Sequence, residues 1–133
     1  MPIQLSVAVR NARLDAIETA IGASPTLEIR SGTVPANAAA ADAGTLLASM
    51  ALPADYMAAA SSGSKALLGT WQDLTADATG TAGHFRIKQG ATCHLQGTIT
   101  GTGGGGDMEV NNTSIAVGQQ VSVTTFTLTD GNA

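Results

Sequence analysis

The chain has a single cysteine, Cys93, so no disulfide can form within it, and disulfide-stapled secretion finds no support. Aromatic residues are scarce: two Phe, one Tyr and one Trp, 3% of 133 residues. Charge is scarce too, at 12% Asp, Glu, Lys and Arg, roughly half of the ~25% found in ordinary soluble domains. No stretch approaches the ~20 apolar residues of a membrane span, so no membrane role is expected. The opening MPIQLSVAVRNARLDA lacks the basic region and following apolar run of a signal peptide. Net charge is −4, and the six basic residues are scattered apart from the pairs Arg10/Arg13 and Arg86/Lys88. That distribution argues against a protein that tracks nucleic-acid phosphates.

What is present is small and uncharged. Hydrophobic residues make up 44%, and with so few aromatics they are mostly Ala, Val, Leu and Ile. At roughly 25 cal/mol per Å² of buried apolar area, a core without large rings lacks its biggest single contributors. Modest stability, helped by neighbouring molecules, is the expectation. Surface polarity comes from Thr, Ser, Asn and Gln. A surface with few charges costs little to desolvate, which suits packing against other proteins. The plainer alternative is a soluble monomer with a Thr-rich β surface. The length fits a single domain spanning 1–133.

The apolar periodicity predicts one helix over 6–21. Val7, Leu14, Ile17 and Ile21 share a stripe, Ser6 is placed to cap the start, and Gly22 and Pro25 end it. Arg10, Asn11, Asp15 and Glu18 occupy the remaining surface. From 26 to 129 the pattern has period two. Short strands are expected at Leu27–Ile29, Leu46–Leu52, Lys65–Leu74, Phe85–Ile87, Cys93–Ile99 and Met108–Val110, with a last run from Gly118. Loops are expected at 34–44 and 75–83, with a helical turn as the alternative for Ala38–Ala41 and one more turn at Asp55–Ala60. The strands around Gln89-Gly90 should form an antiparallel hairpin. In the last run Val121 and Val123 point one way and Phe126 and Leu128 the other, which signals a bulge near Thr124 or a corner where one strand serves two sheets. The tail 130–133 should fray. The fold class expected is mainly β: an N-terminal amphipathic helix followed by an antiparallel, jelly-roll-like β-sandwich.

Candidate chemistry is thin. His84 and His94 fall on neighbouring strands, but Cys93 faces away from His94 and no carboxylate sits at ligand spacing, so no metal is expected. Cys93 alternates with core positions and has no base on its own face, so no nucleophile is expected. The run Gly101–Gly106 lacks the Lys and following helix of a phosphate loop, so no cofactor is expected. Asp73 and Asp77 suit turn capping better than calcium. Trp71 and Tyr56 would serve either as core plugs or as anchors at an interface or sugar platform. With Arg10 and Arg13 they are the candidate interface residues.

The segments RNARLDAIETAIG, TLEIRSGTVPANAAAADAGTLLASMAL, TADATGTAGHFRIKQG and NNTSIAVGQQVSVTTFTLTDGNA, in that order, resemble a family of small structural proteins of tailed phages and prophages. The most specific parts are SGTVPAN, AGTLLA and the stretch ending in GHFRI, and the resemblance runs over nearly the whole chain. It implies a head decoration or cement protein, made in the host cytoplasm and placed on the capsid surface of the virion. It implies the major capsid protein as partner and a homo-oligomer, dimer or trimer. It carries over no catalytic residues. The alternative it leaves is a tail, collar or fibre-associated virion protein, with a glycan-binding face around Trp71.

Overall fold

The computed structural model describes residues 3–130. A helix, α1 (Val7–Ile21), starts on Ser6, whose hydroxyl accepts from the Val9 N–H at 3.2 Å. It stops at Gly22, where φ is +92° and the N–H bonds the Glu18 carbonyl at 3.0 Å. Nine strands follow: β1 (Thr26–Ser31), β2 (Leu46–Ala51), β3 (Ser64–Ala66), β4 (Gln72–Asp73), β5 (Gly80–Gln89), β6 (Thr92–Gly101), β7 (Met108–Val110), β8 (Ser114–Ile115) and β9 (Val121–Thr129).

The strands form one sheet in the order β2-β1-β5-β6-β7-β9-β3, with β4 added to β9 and β8 to β5. Every pairing is antiparallel except β6 with β7, which is parallel. The fold is thus mainly β with one leading helix, a mixed and mostly antiparallel open sheet consistent with a β-sandwich. The sheet closes over its own inner face. Phe85 on β5 and Phe126 on β9 stand three strands apart in the order, at about 4.8 Å per strand, yet their rings meet edge to face with centroids 5.5 Å apart. Leu27, Ile29, Leu47, Ile87 and Met108 fill the same core, each completely shielded from solvent.

The expected hairpin is β5–β6, with Phe85 opposite Gly97 and Ile87 opposite Leu95. This pairing needs glycine, because a Cβ on Gly97 would come within 2.9 Å of the Phe85 ring. The phase change in the last strand is also present. Glu109 pairs Thr125 and Val110 pairs Val123, so Thr124 is the extra residue of a bulge.

Several local expectations do not hold. Asp55–Ala60 makes no helical turn: Met57 bridges Leu67, and the Ala58 N–H bonds the Ala66 carbonyl. Lys65–Leu74 is not one strand, because the chain turns between β3 and β4 through Gly69 at φ +77°. The loop expected at 34–44 is present, and within it Ala38 and Ala39 make one turn, closed by the Ala40 N–H on the Asn37 carbonyl at 3.1 Å. The expected frayed tail, beyond Asp130, lies outside the described residues. Asp130 itself is held, its N–H on the Gly63 carbonyl at 2.9 Å.

The largest departure is the orientation of α1. Its apolar stripe is thin: Leu14 and Ile21 are buried, but Val7 is 46% exposed. Asn11, Asp15 and Glu18 form the other contact with the body. Their side chains accept the N–H groups of Gly63, Ala60 and Met57 at 2.9, 3.0 and 3.3 Å. Spacings of four and three place these residues on one helical stripe. The polar stripe thus supplies acceptors to a segment that has few strand partners of its own.

Candidate functional site

Two strands carry the densest chemistry. On β1, Glu28 and Arg30 alternate with the buried Leu27 and Ile29; on β5, His84, Arg86 and Lys88 alternate with Phe85 and Ile87. Antiparallel register sets Glu28 beside Arg86, Thr26 beside Lys88 and Arg30 beside His84. This second face of the sheet carries the polar side chains of both strands. It is buried as well, because the loop between β1 and β2 folds back over it and brings in Asp42.

Asp42 gathers three cations. Its Oδ1 accepts from Arg86 Nη1 at 2.6 Å, and its Oδ2 accepts from Lys88 Nζ and from Arg30 Nη2, the latter at 3.3 Å. Glu28 Oε1 meets Arg30 Nε at 3.0 Å and Lys88 Nζ at 3.1 Å. Arg86 also donates through Nη2 to the carbonyls of Ala38 and Ala40, at 2.7 and 3.0 Å. The four-alanine run therefore works through its main chain, as a cradle for a guanidinium whose side chain is only 2% exposed.

The electrostatics follow from these contacts. The bond from Lys88 holds the Asp42 carboxyl below the usual range against the opposing effect of burial, and Arg86 and Arg30 add to it. Burial pulls Arg86 and Lys88 down, but Asp42 outweighs it for both, helped by Cys93 at Arg86 and by Glu28 at Lys88, and both end raised. A cleft of about 300 Å³ lies beside this cluster, lined by Ala38–Ala41, Asp42, Arg86, Lys88 and Cys93. Cys93 is half-buried, and its thiol donates to the Leu95 carbonyl at 3.5 Å. The arrangement is a set of ions paired with one another that pins a long loop to the sheet, with the buried Arg86 Nε left without a hydrogen-bond partner.

A second ion group lies on the far side. Lys65 on β3, with its side chain 1% exposed, reaches Asp15 at 2.7 Å, Glu18 at 2.9 Å and the Ala58 carbonyl at 2.9 Å.

The residues singled out from sequence are dispersed. Trp71 is 1% exposed and Tyr56 fully buried. The indole N–H donates to the carbonyls of Tyr56 and Leu68, and the Trp71 ring packs on Phe126 at 5.5 Å and on Tyr56 at 6.3 Å. Both aromatics are core residues of the single chain, so neither offers the surface platform considered for them. Arg10 Nη1 donates to the Asp130 carbonyl at 3.2 Å, and Arg13 Nε meets the Asp130 carboxylate at 3.2 Å. This arginine pair anchors the end of β9 to α1; Arg13 remains 61% exposed.

His84 is buried, with Nδ1 3.0 Å from the Gly32 carbonyl. It pairs with Thr98 rather than approaching His94. Among the described residues no three His, Cys, Asp or Glu side chains gather as metal ligands, and no helix is long and apolar enough to cross a membrane.

Asp42 and Glu28 escaped the sequence reading. The signal available was parity: an acid on β1 and two bases on β5 share one face once those strands are paired. Nothing in the sequence marked Asp42, which lies twelve residues from Arg30 in a loop of small residues. No family model, curated protein or solved structure matches the chain.

Proposed function

We propose that this chain is a non-catalytic structural protein of a phage virion, one that decorates and cements the head shell. In this reading it is made in the host cytoplasm, sits on the capsid surface, and binds the major capsid protein as a small homo-oligomer.

The observation that carries the reading is the use of charge. Each of the six basic side chains meets an acid or a main-chain carbonyl of its own chain: Arg10 and Arg13 at Asp130, Arg30, Arg86 and Lys88 at Asp42, and Lys65 at Asp15 and Glu18. What remains outside is largely Thr, Ser, Gln, Ala and Gly. Such a surface loses little hydration energy when another protein covers it, and it gives a nucleic-acid backbone little to hold. Where β1 and β5 pair, the sheet is covered on both faces, one by the core and one by an ion-pinned loop, which makes a stiff centre suited to bridging neighbouring subunits. The resemblance of the SGTVPAN and AGTLLA stretches to phage structural proteins supports the head as its place.

The tail or fibre reading with a glycan-binding face is weakened by the burial of Trp71 and Tyr56, since a sugar platform needs exposed rings. The test is a cryo-EM map of intact particles. Many copies over capsid subunit junctions support the proposal, whereas density confined to the tail or collar overturns it.

A further inference from the structure

The ion group beneath the loop is not balanced. Arg30, Arg86 and Lys88 bring three positive charges, and Asp42 and Glu28 bring two negative ones. Among the described residues no third carboxylate pairs with these cations. They are also poorly hydrated: the side chains of Arg86, Lys88 and Arg30 are 2%, 10% and 12% exposed. A surplus positive charge in such a place is costly, and it favours an anion that can reach it.

The other buried ion group runs the opposite way. Lys65 faces both Asp15 and Glu18, and their surplus negative charge is met by the N–H groups of Ala60 and Met57. Beside Asp42 the main chain answers only in part, through the Ala38 and Ala40 carbonyls at Arg86 Nη2. Two donors are left over. Arg86 Nε is buried without a hydrogen-bond partner. An ammonium has three N–H bonds, and Lys88 gives one to Asp42 and one to Glu28. Both residues line the cleft of about 300 Å³, with Asp42, Thr92, Cys93 and alanines as its other walls. At roughly 30 Å³ per water, that space exceeds what one phosphate or carboxylate group needs. Among the described residues no aromatic ring lines it, so there is no platform for a stacked base and recognition is of the anionic group itself.

We propose that this cleft binds a small oxyanion, the carboxylate or phosphate group of a ligand, between Arg86 and Lys88. A single negative charge there brings the group to three against three. Because Ala38–Asp42 forms one wall, the bound anion also holds the loop against the sheet. The inference stands on the charge count, the two donors and the cleft, and it does not depend on a virion role.

Cys93 lines the same cleft beside Arg86 and serves as the reporter. The full chain is treated with an uncharged maleimide in sodium phosphate, sodium acetate or sodium chloride, at matched ionic strength and pH. An oxyanion should slow Cys93 labelling saturably, by about fivefold or more near saturation, and raise the thermal midpoint above that in chloride. Slowing by phosphate alone assigns a phosphate ligand, by acetate alone a carboxylate such as an acidic side chain, and by both a site that reads charge rather than shape. Lys88→Met removes the surplus charge and one donor, leaves two cations against two carboxylates, and should abolish the effect. Should that variant fail to fold, Ala91→Glu takes its place, since it supplies a carboxylate from an exposed part of the cleft wall and should remove the response to added anion. Equal labelling rates in the three salts overturn the proposal, and so does a folded variant that is protected as strongly as the wild type.

Discussion

Lys65 and Asp15 bind each other at 2.7 Å across the junction of β3 and α1, the lysine side chain 1% exposed and the aspartate 48%. One partner is buried and the other lies at the rim, so the pair works as a hinge pin whose cation is inside. Removing the cation strands the Glu18 and Asp15 carboxylates beside a hole. Lys65→Ala should cost about 3 kcal/mol. Lys65→Met, which refills the volume, should cost visibly less. Equilibrium urea unfolding of both variants checks this, and equal losses would show that charge rather than packing decides.

Asp42 should act as the latch of the loop over the sheet. Asp42→Ala removes the acceptor shared by Arg30, Arg86 and Lys88 and leaves Glu28 alone among three cations. The loop should then lift from the cleft it shares with Cys93. The expected outcome is a rate of Cys93 labelling by a thiol reagent that rises about tenfold or more, the opening of a local unit by over 1 kcal/mol. An unchanged rate would mean that the Arg86 contacts to the Ala38 and Ala40 carbonyls hold the loop without it.

The pH profile should be a plateau with two edges. Asp15 and Asp42 are held below the ordinary carboxylate range, chiefly by their bonds to Lys65 and Lys88 respectively. Their contribution is therefore present above the unfolded value of about 3.9 and is lost as pH falls through the lower folded values. Lys65 and Lys88 are raised despite burial, because their carboxylate partners outweigh it. Their contribution is present below about 10.4 and lost as pH rises through the folded values. Burial, reinforced by Glu18, pushes the Tyr56 hydroxyl up to about 12, so its share is full below about 10 and fades between there and about 12. Thermal midpoints should hold level from about pH 5 to about 9. Tyr56→Phe should lose less on the alkaline side than the wild type, and an alkaline edge of the same steepness would contradict this.

Close approach should make Gly83 irreplaceable. A Cβ there would sit 2.2 Å from the Gly32 carbonyl oxygen, a main-chain atom that cannot swing aside. Gly83→Ala should destabilise by about 2 kcal/mol or more as measured by thermal unfolding. By contrast, Gly90→Ala meets nothing within 4 Å and carries only the strain of its positive φ, so it should cost about 1 kcal/mol.

The sequence makes part of this legible and hides the rest for physical reasons. The helix boundaries are readable because Ser6 and Gly22 act through their own local chemistry. The β5–β6 hairpin and the Thr124 bulge are readable because a period of two, and its break, report facing directly. Other features depend on what packs against an element. Asn11, Asp15 and Glu18 look like a solvated helix face, and only the tertiary fold shows that the backbone of 57–63 needs their oxygens. Arg86 and Lys88 look like an exposed strand face until the loop with Asp42 covers them. Trp71 is ambiguous from its type alone, and its place beside Tyr56 and Phe126 depends on how the sheet folds over its core. The parallel β6–β7 pair arises because the chain from 102 to 107 doubles back beside β6, with Asp107 accepting the Thr98 N–H and the Gly106 N–H on the Thr100 hydroxyl, whereas the glycine run by itself says only that the chain bends there.

We propose that this chain is a structural component of a phage head. Quantitative mass spectrometry of purified particles, separated into heads and tails, tests it most directly. Peptides of this chain should travel with the heads, in a number comparable to that of the major capsid protein or a simple fraction of it. Peptides found only in the tail fraction, or absent from purified particles, would contradict it.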